Sequence, residues 1–107
     1  VGTFTYDSAI KADFDDRLLA HLQLAISTKL RRGEAFNLTW RDDVRMGDGR
    51  TTVWIHPAIP LVYKFHGSRP PQINPHWVEL LILDGAKSGG MHVIPEPSST
   101  ESTEGTE

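Results

Sequence analysis

The residues best placed to do chemistry lie in one stretch, Gly67-Ser68-Arg69-Pro70-Pro71-Gln72-Ile73-Asn74-Pro75. A Gly-Ser turn, one guanidinium and a stiff Pro-Pro pair lead into Asn followed by Pro. Asn caps a helix by accepting a hydrogen bond from an early N–H, and Pro suits the first helical position because its missing N–H would be unpaired there anyway. A rigid loop therefore carries Arg69 close to a fresh helix N-terminus, a natural place to hold an anion. Arg69, Ser68 and Asn74 form the candidate anion site. The competing expectation is a structural Arg69 tied to a carboxylate such as Glu34 or Asp84, or to loop carbonyls.

Other chemistry is thin. The chain of 107 residues has no cysteine, which removes disulfides, thiolate catalysis and Cys-ligated metals from consideration. His21, His56, His66, His76 and His92 fall on different expected elements, with no spacing that sets two imidazoles on one metal. Surface or hydrogen-bonded histidines are the expectation. Ser8, Ser27, Ser68 and Ser88 lack a nucleophile-elbow context. Asp42, Asp43 and Asp48 share a loop, but their spacing misses the EF-hand pattern and they read as turn formers. No glycine-rich phosphate loop occurs. No catalytic residue, metal site or cofactor is expected.

The elements that must position these side chains read in order. Phe4 and Tyr6 alternate with Thr3 and Thr5 as a short strand. A helix is expected from near Asp13. Leu18, Leu22, Ile26 and Leu30 form its apolar stripe, Lys29, Arg31 and Arg32 its last turn, and Gly33 its stop. Glu34 to Arg41 alternates strictly, with Phe36, Leu38 and Trp40 on one side. Strands follow at 51–55 and 61–65, paired so that Ile55 faces Leu61, Val53 faces Tyr63 and Thr51 faces Phe65. A second helix runs from its Asn74 cap to Gly85, and Met91 to Ile94 is a last strand.

That order, β-α-β-β-β-α-β, makes an α+β two-layer sandwich with a mostly antiparallel sheet of about five strands and both helices on one face. The other face then carries Thr3, Thr5, Asn37, Thr39, Arg41, Thr52, Trp54, Val62 and Lys64, with Trp54 opposite Val62. An exposed Trp on a flat Thr-rich sheet, flanked by Arg41 and Lys64, marks a contact surface, unless the register is wrong and Trp54 lies in the core. Either a second protein, most simply another copy, covers it, or it is a stacking platform for single-stranded nucleic acid.

Charge favours the first. Residues 95–107 carry four of the 14 acids and none of the 11 Lys and Arg, which leaves 1–94 at a formal +1, too weak a field to attract nucleic acid by itself. With no aliphatic or aromatic residue, 95–107 is expected to be a disordered acidic tail beside a single domain at 1–94. No apolar run is long enough to cross a membrane, and Val1-Gly2-Thr3-Phe4 lacks the pattern of a signal peptide, so no membrane partner is expected and the cytoplasm is the expected compartment.

Gly2-Thr3-Phe4-Thr5-Tyr6-Asp7, Lys29-Leu30-Arg31-Arg32-Gly33-Glu34, Gly49-Arg50-Thr51-Thr52-Val53-Trp54, Gly67-Ser68-Arg69-Pro70-Pro71 and Pro95-Glu96-Pro97 resemble a family of short, uncharacterised actinobacterial proteins. The likeness runs from the first residue to about Pro97. The resemblance implies a small domain of unknown function and carries no catalytic residues with it. Members of that family often bear the automatic label "ATP-dependent DNA ligase". Such ligases form a lysyl adenylate on Lys-x-Asp-Gly, and the nearest match here, Lys11-Ala12-Asp13-Phe14, lacks the Gly. The expected function is a non-enzymatic interaction module that self-associates, with a nucleic-acid-binding or anion-binding accessory role as the alternative.

Overall fold

Among the described residues, strand alternation and helix caps set out eight elements. A computed structural model of the chain describes residues 1–42, 47 and 49–97. In order they are β1 (Gly2–Tyr6), β2 (Ile10–Phe14), α1 (Asp16–Arg31), β3 (Phe36–Arg41), β4 (Arg50–Ile55), β5 (Leu61–Lys64), α2 (Pro75–Gly85) and β6 (Met91–His92). The fold is α+β. Its strands form two three-stranded sheets, β2-β1-β5 and β4-β3-β6, in place of one sheet of about five. Every pairing is antiparallel except β3 with β6.

The expected ladder between β4 and β5 is not formed. Thr5 pairs with Val62 and Phe4 with Tyr63, so β5 lies on β1, while Asn37 pairs with Trp54 and Leu38 with Val53. The connection His56-Pro57-Ala58-Ile59-Pro60 explains the change. Its two prolines have no N–H to donate to a ladder, and Ile59 N–H turns back onto the His56 carbonyl at 3.0 Å. The Pro60 carbonyl then accepts from Asp7 N–H at 2.9 Å, which steers β5 onto β1. The inward set survives the change of partner, because Leu61 and Tyr63 still face the core and Val62 and Lys64 still face out.

β2 is the element absent from the expected order, and it displaces the start of α1. Asp7 and Ser8 both adopt positive φ, 52° and 60°, and fold β1 back on itself through Ala9. Lys11 to Phe14 therefore belong to a strand. The helix begins two to three residues later, where the Asp15 carboxylate accepts from Leu18 N–H at 2.7 Å. At the other end, Lys29 and Arg31 occupy the last turn as expected for cations near free carbonyls.

α2 begins as read, with Asn74 accepting from His76 and Trp77 N–H and Pro75 in the first turn. The helices pack on each other, α1 also meets β1, and α2 meets β3 and β6. Phe4, Leu19, Leu22, Ile26, Leu38, Ile55, Leu81 and Met91 are fully buried in one cluster. Phe4 and Phe14 meet the Trp40 ring edge to face at 6.0 and 6.1 Å. Of the expected tail, residues 98–107 lie outside the described residues, while Pro95 to Pro97 are described and attached to the body.

Candidate functional site

The Asn74 helix start is already filled by the chain itself. Glu96 takes two charge-assisted bonds from Arg17, Nε to Oε1 at 2.8 Å and Nη2 to Oε2 at 2.7 Å, and a third from Asn74 Nδ2 at 3.0 Å. Arg17 also donates to the Gln72 carbonyl. The Arg17 bonds, helped by Asn74, hold the Glu96 carboxyl down at about 2. Asn74 spends its side-chain oxygen on the helix and its own N–H on His21 Nε2, at 2.8 Å. Asn74 is thus turned onto the chain's own groups, and it separates from Arg69 and Ser68, which line another cleft.

His21 is the residue that its type and spacing did not single out. It is fully buried, its ring lies 4.4 Å from that of Trp77, and its Nδ1 sits 2.6 Å from the Arg17 carbonyl. Because Nε2 accepts from Asn74, the proton resides on Nδ1 and donates to that carbonyl. One imidazole thus ties α1 to the cap of α2, and the Arg17–Glu96 pair ties both to the C-terminal segment.

This network gives a pH prediction with a definite sign. The Glu96 carboxyl falls from an ordinary 4.5 in the unfolded chain to about 2 in the fold. Its stabilising contribution is therefore complete above about 4.5 and is lost as pH falls towards 2. Glu96→Gln keeps the shape and removes the charge. The gap in melting temperature between parent and variant should be full at neutral pH and close across that acid window. A gap that stays constant from pH 7 to pH 2 would show that the charge contributes nothing.

Arg69 and Ser68 line a separate cleft of about 370 Å3 between α1 and the 65–73 loop. Asp16 anchors that loop, accepting His66 N–H at 3.0 Å and Gly67 N–H at 2.8 Å. The Gly67 and His66 bonds hold its carboxyl below the ordinary range. The expected carboxylate partners of a structural Arg69 are engaged elsewhere. Glu34 bonds Lys29 at 2.8 Å, and Asp84 takes the backbone and the ring of His92 at 2.7 and 2.9 Å. Arg69 is exposed and makes no hydrogen bond among the described residues.

The sheet-face residues divide. Arg41, Val62 and Lys64 line one groove of about 760 Å3 with Thr3, Thr5 and Lys11, where Asp13 and Asp42 add the opposite sign. Trp54 lies instead at a recess of about 410 Å3 with Asn37, Phe36 and the 85–90 turn. The buried Lys29 ammonium sits between Glu34 and the Phe36 ring, 5.2 Å from its centroid, so that recess has its charge internally paired. Trp54 and Val62 are 51% and 54% exposed, as strand alternation required, although they are not cross-strand neighbours. Tyr6 Oη donates to the Trp54 carbonyl at 2.7 Å and so links the two sheets.

Lys11-Ala12-Asp13-Phe14 lies in β2, with Asp13 accepting from the Thr3 hydroxyl at 2.9 Å. Asp42 serves as a turn former, accepting from Thr51 Oγ1 at 2.6 Å, while Asp43 and Asp48 lie outside the described residues. Among the described residues no three His, Asp or Glu side chains group to hold a metal ion, and no helix is long and apolar enough to cross a membrane.

Two three-stranded sheets, two mutually packed helices and a C-terminal segment locked by Arg17 define a small α+β domain. Residues 1–96 match the model of a family described as a domain of unknown function (DUF7882), and the chain belongs to that family. The match ends on Glu96, the residue that fastens the C-terminal segment. No curated protein and no solved structure matches the chain.

Proposed function

We propose that the protein is a non-enzymatic interaction module that self-associates through its outer sheet surface, with Trp54 as the anchor. The observation that carries this reading is the half-exposed Trp54 ring beside a preformed recess, with Val62 equally exposed on the neighbouring sheet. Large aromatics of this kind dominate small interfaces, and the surrounding Thr and Asn side chains supply a polar rim. A second copy is the simplest partner, since a two-fold axis lets one patch meet itself.

Light scattering and sedimentation over a range of protein concentrations test the reading. The parent should form dimers, and Trp54→Ala should weaken association about 30-fold, the equivalent of about 2 kcal/mol for an interface hot spot. Because the ring is already half in solvent, the variant should keep the parent's circular dichroism. A parent that stays monomeric at millimolar concentration removes the proposal.

A second reading, single-stranded nucleic acid, draws on the opposed pair Arg41 and Arg50 across β3 and β4 and on Lys11 and Lys64 in the groove. Like charges directly opposite each other on a sheet disfavour folding and suit an anionic partner. Fluorescence anisotropy with a labelled oligothymidylate tests it. Binding that falls steeply with salt, and falls again in Arg41→Ala, would favour this reading over self-association.

A further inference from the structure

We propose that the cleft between α1 and the 65–73 loop binds a small monocarboxylate with an apolar body, its carboxylate gripped by Arg69. The proposal is independent of the sheet surface. Ala20 and Leu24 form one wall, and Phe65, Pro70, Pro71 and Ile73 form the other. Leu24 and Ile73 remain 41% and 37% exposed there, and so leave apolar area to water on both walls of the cleft. The volume, about 370 Å3, is at the small end of the range for small-molecule sites, roughly 300–1,000 Å3.

The charges at the cleft select the head group. Among the described residues Arg69 is its one cation, held on backbone that Pro70 and Pro71 restrict and committed to no hydrogen bond. A guanidinium grips a carboxylate with two parallel N–H bonds. Asp16 stands in the same cleft, ionised and fixed by two backbone N–H groups. A phosphate dianion would meet that fixed negative charge with only one cation to offset it, and the Asn74 helix start, which could have helped, is spent on Glu96 and His21. A singly charged carboxylate fits this balance, and the apolar walls require hydrocarbon behind it.

Titration of the full, isotope-labelled chain at pH 7 with octanoate, butyrate, 1-octanol and octyl phosphate, read by amide chemical shifts, tests the assignment. Octanoate should shift Leu24, Phe65, Ser68 and Ile73 and should bind more tightly than the other three. Arg69→Ala should weaken octanoate about tenfold or more through the lost charge-assisted bonds. Leu24→Asp, which sets a carboxylate against the wall, should abolish binding while the remaining amide shifts confirm the fold. Equal affinity in Arg69→Ala, tighter binding of octyl phosphate or 1-octanol, or shifts confined to residues away from the cleft would each overturn the proposal. So would the absence of any shift.

Discussion

Trp77→Ala should lower the unfolding free energy by about 3–5 kcal/mol, the usual cost of truncating a large buried aromatic. Trp77 is 3% exposed and sits where α2 turns its first buried face to α1. Its ring stacks on His21, and its Nε1 donates to the Ile94 carbonyl at 3.1 Å. Three effects therefore fall together: a cavity between the helices, a lost stacking partner for a buried imidazole, and a C-terminal segment deprived of one anchor. Domains of this size have about 5–15 kcal/mol in all, so the variant should lose a large share of the total stability.

Trp77→Phe separates the contributions. It retains an aromatic face for His21 and most of the volume but cannot bond Ile94, so a loss of about 1–2 kcal/mol is expected. Hydrogen exchange should quicken at Val93, whose N–H donates to the Thr39 carbonyl, in both variants and at Asn74 only in the alanine variant. Urea denaturation of the three proteins is the measurement. A cost below 1 kcal/mol for Trp77→Ala would mean that the indole is dispensable to the core.

The same contact shows what a sequence can and cannot disclose. Both helices were legible because their signals are local: the leucine stripe of α1, the Asn74-Pro75 start of α2, the cations of the last turn of α1. Strand faces were legible for the same reason, which is why the exposure of Trp54 and Val62 could be read from alternation alone. Partners were not. Alternation says which side of a strand faces the core, but nothing in Leu61 to Lys64 states whether β4 or β1 lies alongside. The deciding bond, Asp7 N–H to the Pro60 carbonyl, joins residues 53 positions apart.

β2 was hidden for a different reason. Its turn places Asp7 and Ser8 at positive φ without a glycine to announce it, and Lys11 and Asp13 on its outer face read equally well as the approach to a helix. The site divides in the same way. Asn74 was legible as a cap, but its occupation by Glu96 spans 22 residues and the Arg17–Glu96 pair spans 79. His21 did leave a signal. A polar ring between Leu18 and Leu22, on the buried side of an amphipathic helix, must find hydrogen-bond partners in the core.

Gly90→Ala is expected to be about as damaging as a core truncation, even though it adds a single methyl group. Gly90 has φ +85°, and a Cβ there would lie 2.6 Å from the Asn37 carbonyl oxygen and 2.9 Å from the Asn37 Cβ. The obstacle is the backbone of β3, which cannot swing aside as a side chain could. β6 would have to move away, and it carries the fully buried Met91 and the parallel register of Leu38 with Met91 and Thr39 with His92. Two other glycines divide the effect into its parts. At Gly33, φ is +76° but the space around a Cβ is empty, so alanine should cost only the left-handed strain, about 1 kcal/mol. At Gly89 the nearest atom is His92 Cε1 at 3.9 Å, so alanine should be nearly neutral. Gly90→Ala should exceed their sum, at about 3 kcal/mol or more, because strain and overpacking act together there. Thermal denaturation of the three variants measures the order. If Gly90→Ala costs no more than Gly33→Ala, then β6 yields freely, and the close approach to Asn37 does not hold the C-terminal segment in place.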